Sequence, residues 1–171
     1  MLVGVLSDSH DNVSAIRRVG EELRRRGVSL VLHAGDWVSP FSARFLREAV
    51  GEGVRIVGVF GNNEGERPYF LEVARRFGVE IAGEAAELEV AGRRVALYHG
   101  TSSVLLRALV ESGLYDVVVY GHTHQAAVER RGRTLVVNPG ELCGCLTGRS
   151  SYALLDLGRL EAEVLFCEVD A

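Results

Sequence analysis

Apolar and polar positions along this chain are grouped into short runs that predict a strand, a loop and a helix. The apolar run LVGVL at 2–6 predicts the strand, and the polar residues after it predict the loop. Apolar residues then recur three or four positions apart, at Ile16, Val19 and Leu23. This spacing indicates one buried face of a helix, which Asp11 or Asn12 is placed to cap.

The same unit is repeated along the chain. Apolar runs at 29–35, 54–61 and 94–100 predict three further strands. Each is followed by a capping residue or a first-turn proline and then a helical pattern, at Ser39–Pro40, at Pro68 and at Ser102–Ser103. A fifth strand is predicted at 116–121.

The last third of the chain has a different pattern, with two hairpins in place of helices. The segment 126–138 turns at Arg131–Gly132, and the segment 151–169 turns at Gly158. The whole pattern predicts one α/β domain over residues 1–171, with at least one mixed sheet. It does not give the order of the strands.

The composition is that of an ordinary folded domain. The 171 residues can bury a substantial core without disulfides or metals, and no apolar run approaches the roughly 20 residues of a membrane span. No basic leader precedes the first strand, which favours the cytoplasm. Three cysteines without a CxxC pair predict small buried thiols, and the net charge of −4 argues against a long nucleic acid as partner.

Polar residues that commonly bind metals follow all five predicted strands. They are Asp8 and His10 after the first, Asp36 after the second, Asn62 and Asn63 after the third, His99 after the fourth, and His122 and His124 after the fifth. Functional groups of open α/β sheets lie in the loops at the carboxyl ends of strands. We therefore expect these side chains to gather at one edge.

Each of these residues alone has a structural explanation. An Asp after a strand often caps a helix, an Asn after Gly often forms a turn, and a single His is more often a hydrogen-bonded core residue. Together they would concentrate carboxylate charge and nitrogen lone pairs at one edge, which a cation relieves. The seven groups other than Asn63 suit two ions that share one carboxylate. Such ligands favour Mn, Fe, Co, Ni or Zn over Ca or Mg but do not choose among these five. Manganese is the metal we expect.

His122 and His124 are separated by a single residue. On an extended backbone, side chains two positions apart point to the same side, so both imidazoles would face one small volume. Each imidazole can then bind a different ion of the pair.

Five short motifs, read in order, resemble those of the calcineurin-like metallophosphoesterases. They are DSH (8–10), GD (35–36), GNNE (61–64), HG (99–100) and GHTH (121–124), and VVNPGE (136–141) continues the series. The chain most resembles the small bacterial and archaeal phosphodiesterases of the YfcE type, which have no cap domain. The resemblance implies a four-layer α/β/β/α sandwich with mixed sheets and a dinuclear metal centre at one edge.

The matching motifs also imply a role for each residue. Asp8, His10 and His124 would bind the first ion, Asn62, His99 and His122 would bind the second, and Asp36 would bridge them. A water or hydroxide between the ions would attack the phosphorus of a small phosphodiester, such as a cyclic nucleotide. The residues implied in catalysis are Asn62 and Asn63, and those implied in substrate binding are Asn63 and His99.

Two positions depart from the family pattern. Asn63 stands where many relatives have a histidine that helps the leaving group depart, and an amide cannot shuttle a proton at neutral pH. We therefore expect diesters and activated esters to be cleaved better than alkyl monoesters. Glu64 is an alternative proton donor, although a surface carboxylate with a pKa of about 4 is a poor acid at pH 7. The segment GELCGCLTGR (140–149) replaces the usual Ser and Pro and changes the expected loop.

Other conspicuous residues favour structural roles. His33, three residues before Asp36, is interpreted as a core group or as support for the site. Trp37 either walls the site or covers the core. The arginine runs at 17–18, 24–26, 75–76 and 130–131 are interleaved with Glu and indicate a solvated surface.

A second class of function fits the same fold. The retromer-associated subunit uses it chiefly to contact protein partners and has a degraded metal site, whereas all seven ligand positions are intact here. A nuclease is disfavoured by the acidic balance and the small size. The C-terminal hairpins offer an edge at which a homo-oligomer could pair.

Overall fold

The computed structural model describes residues 1–167, which form four helices and eleven strands. The helices are α1 (Val13–Arg25), α2 (Pro40–Val50), α3 (Arg67–Arg76) and α4 (Ser103–Glu111). The strands are β1 (Leu2–Leu6), β2 (Leu30–His33), β3 (Arg55–Gly58), β4 (Val79–Ile81), β5 (Ala85–Val90), β6 (Arg93–Tyr98), β7 (Val117–Val119), β8 (Ala127–Arg131), β9 (Thr134–Asn138), β10 (Ser150–Asp156) and β11 (Glu161–Cys167). The described residues do not include 168–171, which are the end of the predicted domain. The last two residues of its predicted final hairpin, 168–169, are among them.

The strands form two mixed sheets. The six-stranded sheet has the order β11-β10-β1-β2-β3-β4, in which β1 to β4 are parallel, β10 is antiparallel to β1, and β11 is antiparallel to β10. The five-stranded sheet has the order β5-β6-β7-β9-β8, in which β6, β7 and β9 are parallel. The predicted α/β class with mixed sheets is therefore confirmed.

Two hydrophobic layers hold the sheets and helices together. The first lies between the six-stranded sheet and α1, α2 and α3, with Ile16, Leu46 and Phe70 among its members. The second lies between the two sheets, where Val5 and Leu32 of one sheet share a cluster with alternate residues of β6, β7 and β9. Burial of each large apolar side chain stabilises the fold by about 1.5–3 kcal/mol relative to exposure.

The helix α4 makes the fourth layer, and it covers its sheet less completely than the other three helices cover theirs. A groove of about 810 Å³ separates it from the outer face of β9, with Leu106 and Val110 on one side and Val136 on the other. None of its side chains is fully buried. The arrangement is nonetheless the predicted α/β/β/α sandwich.

Two of the predicted helix caps are confirmed and one is wrong in its chemistry. The Asn12 side chain accepts from the amide of Ala15, and the Ser102 hydroxyl accepts from the amide of Leu105. Ser39 occupies the cap position of α2, but its side chain makes no capping bond. Its hydroxyl donates instead to the Asp11 carboxylate at 2.7 Å, because that acceptor is charged and within reach.

The sequence pattern missed two strands and overestimated others. The short strands β4 and β5 were not predicted, because β4 has only three residues and β5 is a half-exposed edge strand. The predicted strands at 29–35, 54–61 and 116–121 end earlier, at His33, Gly58 and Val119. Their last residues leave the ladder and turn into the loops that carry the predicted ligands.

One arginine is not on the surface. Arg47 of α2 is 5% exposed, and its guanidinium donates to the carbonyls of Gly51, Val54, Phe77 and Gly78. It thereby satisfies carbonyl groups where α2 and α3 end. Across the residues that the structure describes, we find no helix long and apolar enough to cross a bilayer.

Candidate metal centre

The carboxyl ends of five parallel strands meet at one edge of the sandwich. β1, β2 and β3 belong to one sheet, and β6 and β7 belong to the other. All seven residues predicted as ligands lie in the loops that leave these strands, and the structure brings them together. They form two groups on either side of Asp36.

The first half-site consists of Asp8, His10 and His124. The Nε2 atom of His124 lies 3.3 Å from Oδ1 of Asp8, and Nε2 of His10 lies 3.9 Å from the same oxygen. Potential ligand atoms of these three residues and of Asp36 all lie within 4.8 Å of one another. Four donors at this separation surround a volume that suits one divalent ion.

The second half-site consists of Asn62, His99 and His122. The Nε2 atom of His99 lies 3.0 Å from Oδ1 of Asn62, and the ring centroids of His99 and His122 are 5.1 Å apart. Its donors are an amide oxygen and two imidazoles, so it brings no carboxylate of its own.

Asp36 lies between the two half-sites and faces both. Its Oδ1 atom is 3.4 Å from Nε2 of His99, whereas its Oδ2 atom is 3.5 Å from Nε2 of His10. The two oxygens of one carboxylate thus point to different donor groups, which is the orientation that a bridging ligand requires.

The backbone at this edge is strained. Nine non-glycine residues among the described residues have positive φ, and five of them are predicted ligands. These five are Asp8 (φ 52°), His10 (φ 39°), Asp36 (φ 58°), His122 (φ 66°) and His124 (φ 59°). Such conformations are unfavourable for residues with a Cβ, and they concentrate where side chains must be aimed at a functional site.

Glycines of two motifs allow the loops to approach the ligands closely. A Cβ on Gly61 would lie 2.1 Å from Oδ1 of Asp36, and a Cβ on Gly121 would lie 2.7 Å from Oδ2 of Asp8. No larger residue fits at either place without displacing a carboxylate. The G of GNNE and the G of GHTH are therefore needed for packing around the site.

The donor set fits divalent cations. Within the described part of the chain, Oδ1 of Asp8 and Nε2 of His10 are buried polar atoms without a hydrogen-bond partner. Burial raises the pKa of Asp8, so its charged form favours a cation as partner. Burial would also raise the pKa of Asp36. A hydrogen bond from His99, the charge of His99 and two hydrogen bonds from Asn63 outweigh this effect and lower the pKa. Asp36 is therefore ionised at neutral pH.

His99 responds to its position beside the shared carboxylate. Burial alone would lower its pKa, but the hydrogen bond with Asp36 and the charges of Asp36 and Asp8 raise it. Its Nδ1 atom lies 2.7 Å from the carbonyl oxygen of Ala34, which directs Nε2 towards the site.

Asn63 and Glu64 support the site by hydrogen bonds. The Asn63 amide and side chain donate to the two oxygens of Asp36, at 2.9 and 2.7 Å. The Glu64 carboxylate accepts from the backbone amides of Trp37 and Gly61, and burial raises its pKa. The expectation that Glu64 is a surface carboxylate with an ordinary pKa was therefore wrong, because Glu64 is half-buried.

His33 is a core residue, as the structural interpretation proposed, and of the two alternatives for Trp37 the structure shows the one in which it covers the core. The two rings stack with centroids 3.5 Å apart, and both residues are buried. Nδ1 of His33 accepts from the amide of Gly35, and Nε2 contacts the Ser9 hydroxyl, while burial holds its pKa well below the ordinary range. The Trp37 indole donates to the carbonyl of Val59.

The sequence analysis missed Glu141, a buried residue beside His124. Its Oε2 atom lies 2.6 Å from Nδ1 of His124. Burial alone would raise its pKa, but hydrogen bonds from His124, Thr147 and Leu146 lower it to about 2. The sequence signals were its place at the end of VVNPGE (136–141), which continues the motif series, and the departure of 140–149 from the family pattern.

The cysteines are only partly as predicted. All three are free, but only Cys143 is buried, whereas Cys145 is exposed. A potential ligand atom of Cys143 lies within 4.8 Å of His10 and His124, although no thiolate was expected near the site. Burial raises the pKa of this thiol, and it donates to Glu141 as a neutral group.

Comparison with known proteins gives a consistent result. The pattern of the calcineurin-like phosphoesterase superfamily domain matches residues 1–159. A phosphodiesterase of Methanocaldococcus jannaschii is 36% identical over 169 residues, which cover 98% of this chain and 100% of the relative. Phosphodiesterase YfcE of Escherichia coli is 29% identical over 163 residues, with 88% and 84% covered.

Solved structures agree with the sequence relatives. One, described as a novel archaeal phosphodiesterase, superposes with a TM-score of 0.91 at 34% identity, covering 98% of this chain and 100% of its own. Vps29 of Entamoeba histolytica complexed with zinc has a TM-score of 0.67 at 21% identity, covering 97% and 99%, and shows a shared fold. The match over residues 1–159 and the full-length archaeal relative together establish that the chain belongs to the calcineurin-like phosphoesterase superfamily.

Proposed function

We propose that the chain is a divalent-metal-dependent phosphodiesterase that hydrolyses small phosphodiesters at a dinuclear centre. The observation that carries this proposal is the position of Asp36, whose two oxygens face different groups of donors. A single ion would leave one of these groups without a purpose. The family and the names of the sequence relatives support the reaction class.

The two half-sites would each hold one ion, and Asp36 would bridge them. Two divalent ions bound there would supply a hydroxide nucleophile at neutral pH and withdraw charge from the phosphate oxygens. Asp8 and Asp36 are buried, whereas the side chains of His10 and His124 are 22% and 12% exposed. The carboxylates would thus lie at the base of the site, and substrate would approach from its exposed side, where His10, Asn62 and Asn63 lie.

Asn63 and His99 would contact the substrate, and Asn62 would contribute to catalysis as a ligand. An amide nitrogen carries two protons, so the proton that Asn63 does not give to Asp36 is available for a phosphate oxygen. Asn63 cannot protonate a leaving group. This chemistry supports a preference for diesters and for activated esters. Manganese and a cytoplasmic location stay predictions from the sequence.

A protein-binding scaffold is the second candidate, and one surface favours it. Val104, Leu105 and Leu114 on and beside α4 are apolar and 62%, 56% and 54% exposed. Such side chains suit contact with another protein. The complete set of donors around Asp36 favours the enzyme, because a scaffold has no need of strained backbone at five ligand positions.

The test uses metal-stripped protein and bis-p-nitrophenyl phosphate, titrated in turn with Mn, Ni, Co, Zn and Mg. Asp36→Asn and His122→Ala remove the shared ligand and one ligand of the second half-site. Asp156→Asn, at the end of β10, is the matched control. We expect hydrolysis only with added metal, its loss in both site variants and its retention in the control.

The opposite outcome is equally informative. Protein that binds two ions per chain and hydrolyses nothing with any of the five metals would overturn the enzyme and favour the scaffold. A variant pair that keeps full activity would contradict the assignment of the site.

A further inference from the structure

Glu141 is a buried carboxylate that the proposed reaction does not use. It lies just after β9 in the segment that departs from the family pattern, and its exposed fraction is 0%. Besides His124 it accepts from the thiol of Cys143, the amide of Leu146, and the amide and hydroxyl of Thr147. A carboxylate removed from water is costly unless its lone pairs are satisfied, and here several donors satisfy them.

The donors are divided between the two oxygens of Glu141. Oε1 takes the amide and hydroxyl of Thr147, so it holds the loop. Oε2 receives Nδ1 of His124 at 2.6 Å, which is the shortest of its contacts, so it holds the imidazole. It also accepts from the Cys143 thiol and shares the Leu146 amide with Oε1. The loop contacts alone would explain why a carboxylate is buried at this position. They would not explain why Oε2 of Glu141 is directed at the imidazole of His124.

The contact determines which nitrogen of His124 faces the first half-site. A carboxylate at Nδ1 keeps the proton there, and Nε2 then presents its lone pair. That Nε2 atom lies 3.3 Å from Oδ1 of Asp8, inside the group of donors that suits the first ion. The ring is therefore held by Glu141 at one nitrogen and directed to the metal position by the other.

The equivalent imidazole of the second half-site has a weaker support. Nδ1 of His99 contacts the neutral carbonyl oxygen of Ala34 at 2.7 Å. A carboxylate at one ring nitrogen makes the other nitrogen a stronger electron-pair donor to a metal than a neutral carbonyl does. Given the proposed function, we infer that Glu141 is a positioning residue that orients His124 and selectively strengthens binding of the first ion.

Glu141→Gln tests this inference, because it keeps the size of the side chain and removes its charge. Calorimetric titration with Mn²⁺ should show that one of two ions binds about 10- to 100-fold more weakly, while the other is unchanged. Nitrogen-15 NMR of the metal-free protein should show that His124 loses its fixed Nδ1-protonated tautomer. Thr147→Val is the control, because it removes a loop donor from the same carboxylate without touching His124.

Three results would overturn the inference. They are unchanged affinity for both ions in Glu141→Gln, equal weakening in Glu141→Gln and Thr147→Val, and an Nε2-protonated His124 in the wild-type protein without metal. The wild-type tautomer also decides the matter if the Gln variant does not fold. A wild-type protein that binds no ions would contradict the proposed function instead, so the two failures are distinguishable.

Discussion

The two half-sites share Asp36 and have the same number of other donors, but they differ in charge. The first half-site has its own buried carboxylate, Asp8, and the charge of Glu141 behind His124. The second has the amide of Asn62 in the corresponding place, and its His99 is supported by a neutral carbonyl. Because attraction to a divalent ion increases with ligand charge, we expect the first ion to be the more tightly bound.

Exposure differs in the same direction. Asp8 is fully buried, whereas Asn62 is exposed. The half-site with the buried charge suits an ion that stays, and the half-site with the exposed amide suits an ion that exchanges. The histidines do not follow this difference, since His99 is buried and His10 is 22% exposed. If each group holds one ion as proposed, the two groups of predicted ligands, which the sequence pattern treats alike, would have different tasks.

The largest effect is expected from Asp8→Asn, which removes the charge of the first half-site and keeps its shape. Supporting partners of metal ligands are worth about 10- to 100-fold in affinity, so the loss of a charged ligand should cost more than about 100-fold. Equilibrium dialysis with Mn²⁺ measures this as the loss of the tighter ion. Asn62→Ala should affect only the weaker ion, and a greater loss in that variant would reverse the comparison.

A smaller effect is expected from Asn63→His, beside the open half-site. A well-placed general acid increases the reaction rate by about 100- to 10,000-fold. A histidine introduced without other changes to position it should increase the rate of alkyl phosphomonoester hydrolysis by a smaller factor, about 10- to 100-fold. The measurement is the ratio of kcat/KM for an alkyl ester to that for bis-p-nitrophenyl phosphate. Gln125→His places the same group next to His124 and is the matched control. An equal rise in both variants would show that substrate does not approach from the second half-site.

Asn62→Asp should make the two half-sites more alike. It adds a carboxylate where the second half-site has an amide, and we expect the weaker ion to bind about tenfold more tightly. Titration calorimetry should then show two ions of similar affinity in place of a tight and a weak one. Unchanged affinity in this variant would mean that ligand charge does not cause the difference.

The gathering of the seven predicted ligands at one edge could be predicted from the sequence because of the topology. β1, β2 and β3, and likewise β6 and β7, are parallel, so residues that directly follow these strands must meet at one edge. Local motifs were sufficient for that part. The fold class followed from the alternation of strand and helix patterns, but the half-exposed edge strand β5 and the three-residue β4 did not give a recognisable pattern.

Features that depend on a distant partner could not be predicted. Glu141 is 17 residues from His124 along the chain, and only the folded structure shows that it lies against the ring. Ser39 has the sequence of a helix cap, yet Asp11, 28 residues away, takes its hydroxyl. In both cases a charged group reaches across the loops, and no local pattern records which residue it will meet.

The smallest expected effect concerns stability in acid, and it isolates the charge behind the first half-site. Burial alone would raise the pKa of Glu141, but its hydrogen bonds lower it to about 2, against about 4.3 in an unfolded chain. Its ionised form therefore stabilises the fold above about pH 4.3, and this contribution is lost as the pH falls towards 2. Denaturant unfolding of the metal-free protein should show Glu141→Gln less stable than wild type at pH 7, by a difference that shrinks at pH 3. Exposed Glu89→Gln is the control. A difference that does not change with pH would mean that the charge of Glu141 contributes nothing, and the two half-sites would then differ through Asp8 alone.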